Sequence, residues 1–392
     1  MARKKVVVVG GGIAGAATAW SLAREHGADV VLLECERQPG AHATARNAAI
    51  LRTAIHDPCL HALARDSARF YREPPAGFAD HPLLRACGTL LCATAESADE
   101  LALWAPDERC NEEAQEVPLT RLHSAWPQLA PGVTRCWLHP QDGVLDVHAI
   151  LHGFLSGARQ AGAELRMGAQ VVDLLRDSGG AIVGVRWIGS GAPTPQAVEA
   201  DAVVLAGGAW AAEPAAAAGL PLELHPRRRH LLVTAPLSAV HPGAPVVWIL
   251  GDEFYFRPES GGLLLSACDE EEVEPAHGER TQPVVLEALA RKTQRWLPAF
   301  LGAQTAHFWA ATRTFADDQR FLIGPDPRAV GLYWAAALGG HGISCGYAVG
   351  RLAAAWAVGT RPATSESEPF LPARILPAAS MTAIGAPTGV KA

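Results

Sequence analysis

One stretch near the start of the chain limits its fold more than any other: KVVVVGGGIAGAATAWSLAREHGADVVLLE, residues 5–34. Val6–Val9 is an unbroken β-branched run, the pattern of a parallel strand buried on both faces. Gly10, Gly12 and Gly15 then spell G-x-G-x-x-G. Gly10 permits the tight turn off the strand, Gly12 lets backbone approach a pyrophosphate, and Gly15 lets the following helix lie close on the sheet. Ile13 and Ala14 open that helix, whose free N–H groups and positive dipole end suit phosphates. Val30–Leu33 reads as the second strand. Glu34 closes it, nineteen residues after Gly15, with Cys35 beside it. An acid there accepts hydrogen bonds from both ribose hydroxyls of an adenosine and repels a 2′-phosphate, so NADP is not expected. The unit binds a dinucleotide and does not by itself distinguish FAD from NAD.

The remaining 358 or so residues must explain what the dinucleotide serves. At 392 residues the chain has room for two domains. A formal net charge of −7 gives no general attraction to nucleic acid. The eight cysteines include no CxxC, so neither a zinc site nor a redox dithiol is indicated, and reduced thiols in a cytoplasmic protein are expected. The basic start is not read as a signal peptide, because its apolar run ends after four residues at Gly10. No uncharged apolar stretch approaches ~20 residues, so no transmembrane segment is expected. Peripheral attachment to an inner membrane is left open.

Along the chain, Ala43–Leu51 is small and helix-prone, in a position to return across the cofactor. Asp57–Arg72 has the periodicity of a helix. Thr89–Ala93 is a short strand, Leu119–Trp126 a short helix, and Val147–Ala161 a helix ending at Gly162. Ala163–Met167, Val171–Arg176 (with Val172) and Ile182–Ile188 read as a meander, with turns at Asp177–Gly180 and Gly189–Pro195. Asp201–Ala206 is a buried strand running into Gly207, Gly208 and Trp210. Residues 221–317 are strand-like with one helix, Val284–Leu297, which predicts an antiparallel sheet rather than a βαβ repeat. Gly331–Ala337 is a last buried strand, followed by Gly339, Gly340, His341 and Gly342 and a helix from about Ile343 to Val358. A second glycine-rich strand–helix turn at the C-terminal end suits a flavoprotein, where a helix N-terminus steadies negative charge on the reduced ring.

The chain resembles the D-amino-acid oxidase superfamily of FAD enzymes, with the bacterial D-arginine dehydrogenases as the nearest likeness. The resemblance rests on Gly10–Gly15 with Glu34; AHATARNAA (41–49), containing Arg46, Asn47 and Ala48; FYREPPAGFADHPLL (70–84); LAGGAW (205–210); HPRRRHLLVTAP (225–236); DEFYFRP (252–258); WAATRTFADD (309–318); and ALGGHGI (337–343). It implies a two-domain α/β (α+β) protein of glutathione-reductase-2/D-amino-acid-oxidase type: a Rossmann-like FAD-binding domain plus an antiparallel-sheet substrate domain. The expected boundaries are 1–80 with 146–220 and 318–365 for the first, and 81–145 with 221–317 for the second. Residues 366–392 are expected to form a poorly ordered tail. FAD is expected to be non-covalent, because no cysteine occurs in Thr314–Asp318, where one sarcosine oxidase carries its linkage.

The resemblance maps a carboxylate clamp onto Arg229, Arg313 and Tyr255. An amino-acid carboxylate suits a guanidinium fork with two parallel donors. Arg313 stands in an apolar strand, where an unpaired charge is costly. Gly340 is expected to turn a carbonyl toward the substrate amine; for His341 a catalytic and a structural role are both open. The departures bear on substrate. The likeness places a guanidinium-binding carboxylate where this chain has Thr89, and a His, Thr and Tyr where it has Ile50, Arg52 and Ile55. A basic side chain is therefore not expected in the pocket. Arg52 is similar to the basic residues that sarcosine oxidases keep beside the flavin; it either meets a second carboxylate of an acidic substrate or contacts a flavin phosphate or the surface. Ile50, Ile55 and Trp248 make the rest of the pocket apolar. The expected reaction is oxidation of a D-amino acid to the imino and keto acid, by hydride transfer to the flavin. Secondary-amine oxidation of the sarcosine and glycine oxidase kind is the alternative, and a non-catalytic flavoprotein partner a second one. Oxygen and a quinone or other carrier are both open as electron acceptor.

Overall fold

The computed structural model describes residues 3–103 and 114–377. Its first layer is a six-stranded sheet in the order Leu322–Pro325, Leu332–Ala336, Ala202–Leu205, Lys5–Val9, Asp29–Glu34, Glu164–Met167. All neighbours are parallel except the first pair. Val6, Val7 and Val8 at its centre are fully buried, as the β-branched run requires. The helices Ile13–Arg24, Val147–Gln160 and Gly346–Val358 cover one face. Small residues set their spacing: a Cβ on Gly350 would overlap the Ala17 backbone, and one on Gly15 would overlap the Gly10 carbonyl. A three-stranded antiparallel meander, Ala169–Arg176, Ile182–Gly189 and Ala192–Glu199, packs on the other face.

The second layer is a nine-stranded sheet built from residues 89–139 and 225–315. Its longest pairing joins His225–Thr234 to Thr305–Phe315. Leu90, Cys92, Phe254, Phe256 and Leu265 on one face bury Trp126 and Trp296 beneath the helices Leu119–Ala125 and Val284–Trp296. The opposite face carries Leu231, Tyr255, Leu264 and Trp248, and packs against Ala48 and Ile50 of the loop that leaves the first layer. The two-domain α/β arrangement with a sheet-based second unit therefore stands.

Several local expectations change. The segment 43–51 is not helical: it is a run of turns ending in the strand Ile50–Leu51, which pairs with Val144 and Gly143. Asn47 forces the turn, its side chain accepting from the Ala49 N–H at 2.6 Å, and Ala49 sits at φ 55. Glu164–Met167 does not join the meander but adds to the parallel sheet beside Asp29–Glu34. The stretch read as a turn at 189–195 opens the third meander strand instead. The second sheet is mixed, because Val246–Ile249 runs parallel to Thr89–Ala93. The last long helix starts at Gly346, after turns that occupy 339–345.

The segment beyond 365 is not a loose tail as far as it is described. Phe370 is 1% exposed and lies against Phe321, and Arg374 forms a paired ion contact with Asp318 at 2.6 and 2.9 Å. Large-to-small truncation of a buried phenylalanine costs about 3–5 kcal/mol. Phe370→Ala should therefore lower the unfolding free energy by that much, read as a drop in the urea midpoint at constant m-value; a loss below about 1 kcal/mol would mean the segment does not belong to the core.

Candidate active site

The ends of the parallel strands and the loop between the layers enclose a cavity of about 490 Å³. Gly10, Gly12, Ile13 and Ala14 form one wall, with Glu34, Cys35 and Val171 at one end and Gly207, Gly208 and Trp210 along the side. Asn47, Arg313, Gly339, Gly340, Gly342 and Ile343 line the rest. Gly10 has φ 110, and a Cβ there would press on the Ala206 carbonyl. Thr44, which sequence reasoning did not single out, accepts from the Ile13 N–H at 3.0 Å and so covers the helix start. It lies inside the 41–49 motif, where a threonine among alanines was the available signal. Glu34 is buried and accepts from the backbone N–H of Gly11 and, at 2.8 Å, of Glu36. Burial, with Glu34 adding to it, pushes the adjacent Cys35 thiol up to about 12.

Four other residues expected at the cofactor stand behind this wall. Gly15 is the helix–strand contact described above. The Arg46 side chain leaves the cavity for Glu279 at 3.0 Å, while its carbonyl accepts from Arg313 at 3.2 Å. The Ala48 carbonyl accepts from the buried Arg257 at 2.7 Å. Val172 falls in a register shift of the meander between Val171 and Asp173. His42 packs on Trp210 at 4.5 Å and bridges Glu36 and Glu279, a set of contacts that no local sequence pattern announced.

Beyond Gly340 the second sheet presents its polar residues. Arg229 and Arg313 lie on paired strands, and register puts both on the face that carries Tyr255 and Trp248. Arg229 ion-pairs with Glu270 and reaches the Asp269 carbonyl at 3.4 Å. Burial pulls its guanidinium down, but Cys268, Tyr255, Glu270 and Asp269 outweigh that and the net direction is up. Arg313 is different. It is 8% exposed, and among the described residues its guanidinium hydrogen-bonds only to main-chain carbonyls, of Thr312 at 3.0 Å and Arg46 at 3.2 Å. Burial lowers it to about 10, and the Arg229 charge acts in the same direction. Burial raises the Tyr255 phenol, against the pull of both arginines.

Tyr255 stacks on Trp248 with ring centres 4.6 Å apart, and the Arg52 guanidinium lies 4.0 Å from the centre of the Trp248 ring. Arg52 is buried, donates to the Ala54 carbonyl at 2.8 Å, and feels Glu253; burial brings it down to about 10. It therefore faces the sheet rather than a surface. Half-buried His341 sits in the field of Arg52 and Arg229, and burial together with those two charges lowers it to about 3, so the ring is neutral at working pH. Ile50 joins the Tyr255 and Trp248 cluster, but Ile55 packs into the helical core with Leu51 and Leu60. Thr89 lies on the Trp248 face, fully buried. No group of three or more His, Cys, Asp or Glu side chains placed to hold a metal occurs among the described residues, and none of their helices is long and apolar enough to cross a membrane.

A model of the family described as "FAD dependent oxidoreductase" matches residues 5–356. The chain belongs to this family. FAD is its cofactor. The chain is 28% identical over 377 residues to a 4-methylaminobutanoate oxidase (formaldehyde-forming) of Paenarthrobacter nicotinovorans, covering 93% of this chain and 44% of that one. It is 26% identical over 390 residues to the mitochondrial dimethylglycine dehydrogenase of Rattus norvegicus, covering 92% and 43%. This chain thus spans less than half the length of these relatives. Among solved structures, glycine oxidase from Geobacillus kaustophilus superposes with a TM-score of 0.79 at 25% identity, covering 96% of this chain and 100% of that one. These relatives carry the family likeness; none is a D-amino-acid dehydrogenase by name, so the finer likeness to D-arginine dehydrogenases is not what they support.

Next to the arginines, Asp142 accepts from Thr53 through its N–H at 3.0 Å and its hydroxyl at 2.8 Å, and so holds the strand-end that carries Arg52. Burial raises Asp142 to about 7 from an ordinary 3.8. A carboxyl with a raised folded value favours the fold fully below its unfolded value and loses that contribution as pH climbs to the folded one. The stability of the wild type relative to Asp142→Asn should therefore fall by a few kcal/mol, on the order of 1.4 per pH unit, between about pH 4 and 7. A difference that stays flat across that window in urea titrations would exclude a buried, proton-holding Asp142.

Proposed function

We propose that this chain oxidises the carbon–nitrogen bond of a carboxylate-bearing secondary amine, an N-substituted amino acid. One observation carries the carboxylate: the Arg313 guanidinium, buried at the cavity wall with only main-chain carbonyls as hydrogen-bond partners among the described residues. A buried cation without a counter-ion is costly, and a planar anion offers it two parallel hydrogen bonds. Arg229 and the Tyr255 hydroxyl share that face and complete the clamp. The amine side of the reading is supported by the relatives, whose names specify methylamino and dimethylamino acids. FAD, when bound, supplies the hydride acceptor for the carbon next to nitrogen.

The chain's own residues do the rest by placement. Gly10, Gly12, Ile13 and Ala14 take the pyrophosphate, Glu34 the ribose, and Gly207, Gly208, Trp210, Gly339, Gly342 and Ile343 the remaining length of the cofactor. The clamp aims the substrate carbon across the gap, and the Gly340 carbonyl takes a hydrogen bond from the amine. Neutral His341 adds no charge there, so the amine can lose its proton before the bond is broken. Trp248, Ile50 and the ring of Tyr255 exclude water. A primary D-amino acid fits the same clamp and is the second reading, supported by the motif matches in 225–258 and 309–318.

Arg313→Met should raise the Michaelis constant by roughly a hundredfold, the loss of a charge-assisted pair, with the flavin absorbance retained. An unchanged Michaelis constant would remove the clamp. Anaerobic bleaching by N-methyl amino acids but not by D-amino acids of equal side chain should separate the two readings, and the reverse order would install the second.

A further inference from the structure

His42 lines the cofactor cavity, and its ring lies against the Trp210 ring, also of the lining, with centres 4.5 Å apart. Behind it stands Glu279, whose carboxylate accepts from the His42 Nδ1–H at 2.7 Å and pairs with Arg46 at 3.0 Å. Neither Glu279 nor Arg46 belongs to the lining, and their side chains are 31% and 39% exposed. The His42 ring therefore has the cavity on one side and an ion pair that reaches solvent on the other.

The two partners differ in how firmly they are placed. His42 belongs to the run of turns that leaves the first layer, and its side chain is 32% exposed. A partly exposed ring on a loop turns outward readily unless something holds it. Glu279 comes from the second sheet's side, on a stretch whose two ends are tied by the buried His230. That ring donates to Asp269 at 2.6 Å and accepts from the Gln282 N–H at 2.8 Å. Between them the buried Arg228 donates to the His277 carbonyl at 3.1 Å. Gly278 lies so close to Thr312, itself a lining residue, that a Cβ would overlap the threonine methyl. Glu279 is thus a carboxylate on anchored backbone, and His42 is the movable ring it holds. Glu36, 3.2 Å from Nε2, is the longer of the ring's two contacts.

We propose that Glu279 is a positioning residue for the cofactor: it holds the His42 ring against Trp210 as a gate, and FAD leaves at the rate at which that contact opens. The gate rests on the family's cofactor and not on the substrate reading above. Release of FAD from the diluted, loaded enzyme, followed as the rise of free-flavin fluorescence, tests it. Glu279→Ala should release FAD roughly fivefold faster or more, and Glu279→Gln, which keeps an acceptor for the Nδ1–H, should stay near wild type. In a His42→Ala background, Glu279→Ala should add almost nothing, because the residue acts through the ring. His42→Phe, which keeps a ring but no hydrogen bond, serves as the same background if His42→Ala does not retain flavin. Unchanged release in Glu279→Ala overturns the gate, as does Glu279→Gln releasing as fast as Glu279→Ala. An equal acceleration by Glu279→Ala with and without His42 overturns it too, since the carboxylate would then act on the fold at large.

Discussion

The site depends on one uncomfortable charge. Arg313 is buried on its strand between Thr312 and Thr314, with Arg227 directly opposite on the paired strand, and its exposed fraction is 8%, toward the cavity it lines. Two carbonyls keep the guanidinium hydrogen-bonded without neutralising it. A second guanidinium, Arg229, within its field adds to the cost; Arg229 ion-pairs with Glu270, which it shares with Arg227, whereas among the described residues Arg313 forms no ion pair and the one carboxylate it feels is the more distant Asp269. Such an arrangement costs folding energy and is retained where a ligand anion recovers it. The asymmetry between the two arginines is the reason Arg313 is proposed as the anion position.

Buried arginines also join the two layers. Arg313 donates to the Arg46 carbonyl and Arg257 to the Ala48 carbonyl, while the Arg52 N–H accepts no such role and instead donates to the Ser344 hydroxyl at 3.1 Å. The loop 41–55 is thus strung between the nucleotide-side strands and the sheet by polar contacts spaced every few residues. Its main-chain carbonyls would otherwise be buried without partners, a cost the arginines remove. The same residues hold the loop in place against the Arg313 strand, and strain at Ala49, with φ 55, is held by the Asn47 side chain.

What could be read from sequence follows this division. The strand Lys5–Val9, its glycines and Glu34 were legible because each imposes a local requirement that no tertiary contact overrides. Short strands such as Thr89–Ala93 and Val246–Ile249 were legible for the same reason, but their parallel pairing was not, since register is decided by partners over a hundred residues away. Glu164–Met167 reads as a meander strand because it adjoins one; its place in the parallel sheet follows from the open edge of Asp29–Glu34. Ile55 is apolar in a pocket loop, yet the helical core beneath takes it. His139 carried no signal at all, because it is set apart only by facing Thr89 across a strand pair, its ring nitrogens having no hydrogen-bond partner among the described residues.

The charge pattern of the whole molecule sharpens the point about substrate. A net charge of −7 opposes the approach of an anion, and at physiological salt that opposition is screened within about 8 Å. Inside the site, where the arginines are buried, the effective dielectric falls and the local sign decides. Glu34 and Glu36 stand at one end of the cavity, and Arg313 lines the other with Arg229 and Arg52 beyond it. An elongated cofactor with its adenosine toward the acids leaves its reactive end among the cations. The substrate proposed above would bring negative charge to the arginines while its amine stays neutral long enough to react. On that proposal, a carboxylate fixed on the sheet side, with the amine held by the Gly340 carbonyl, would meet both demands without a dedicated base.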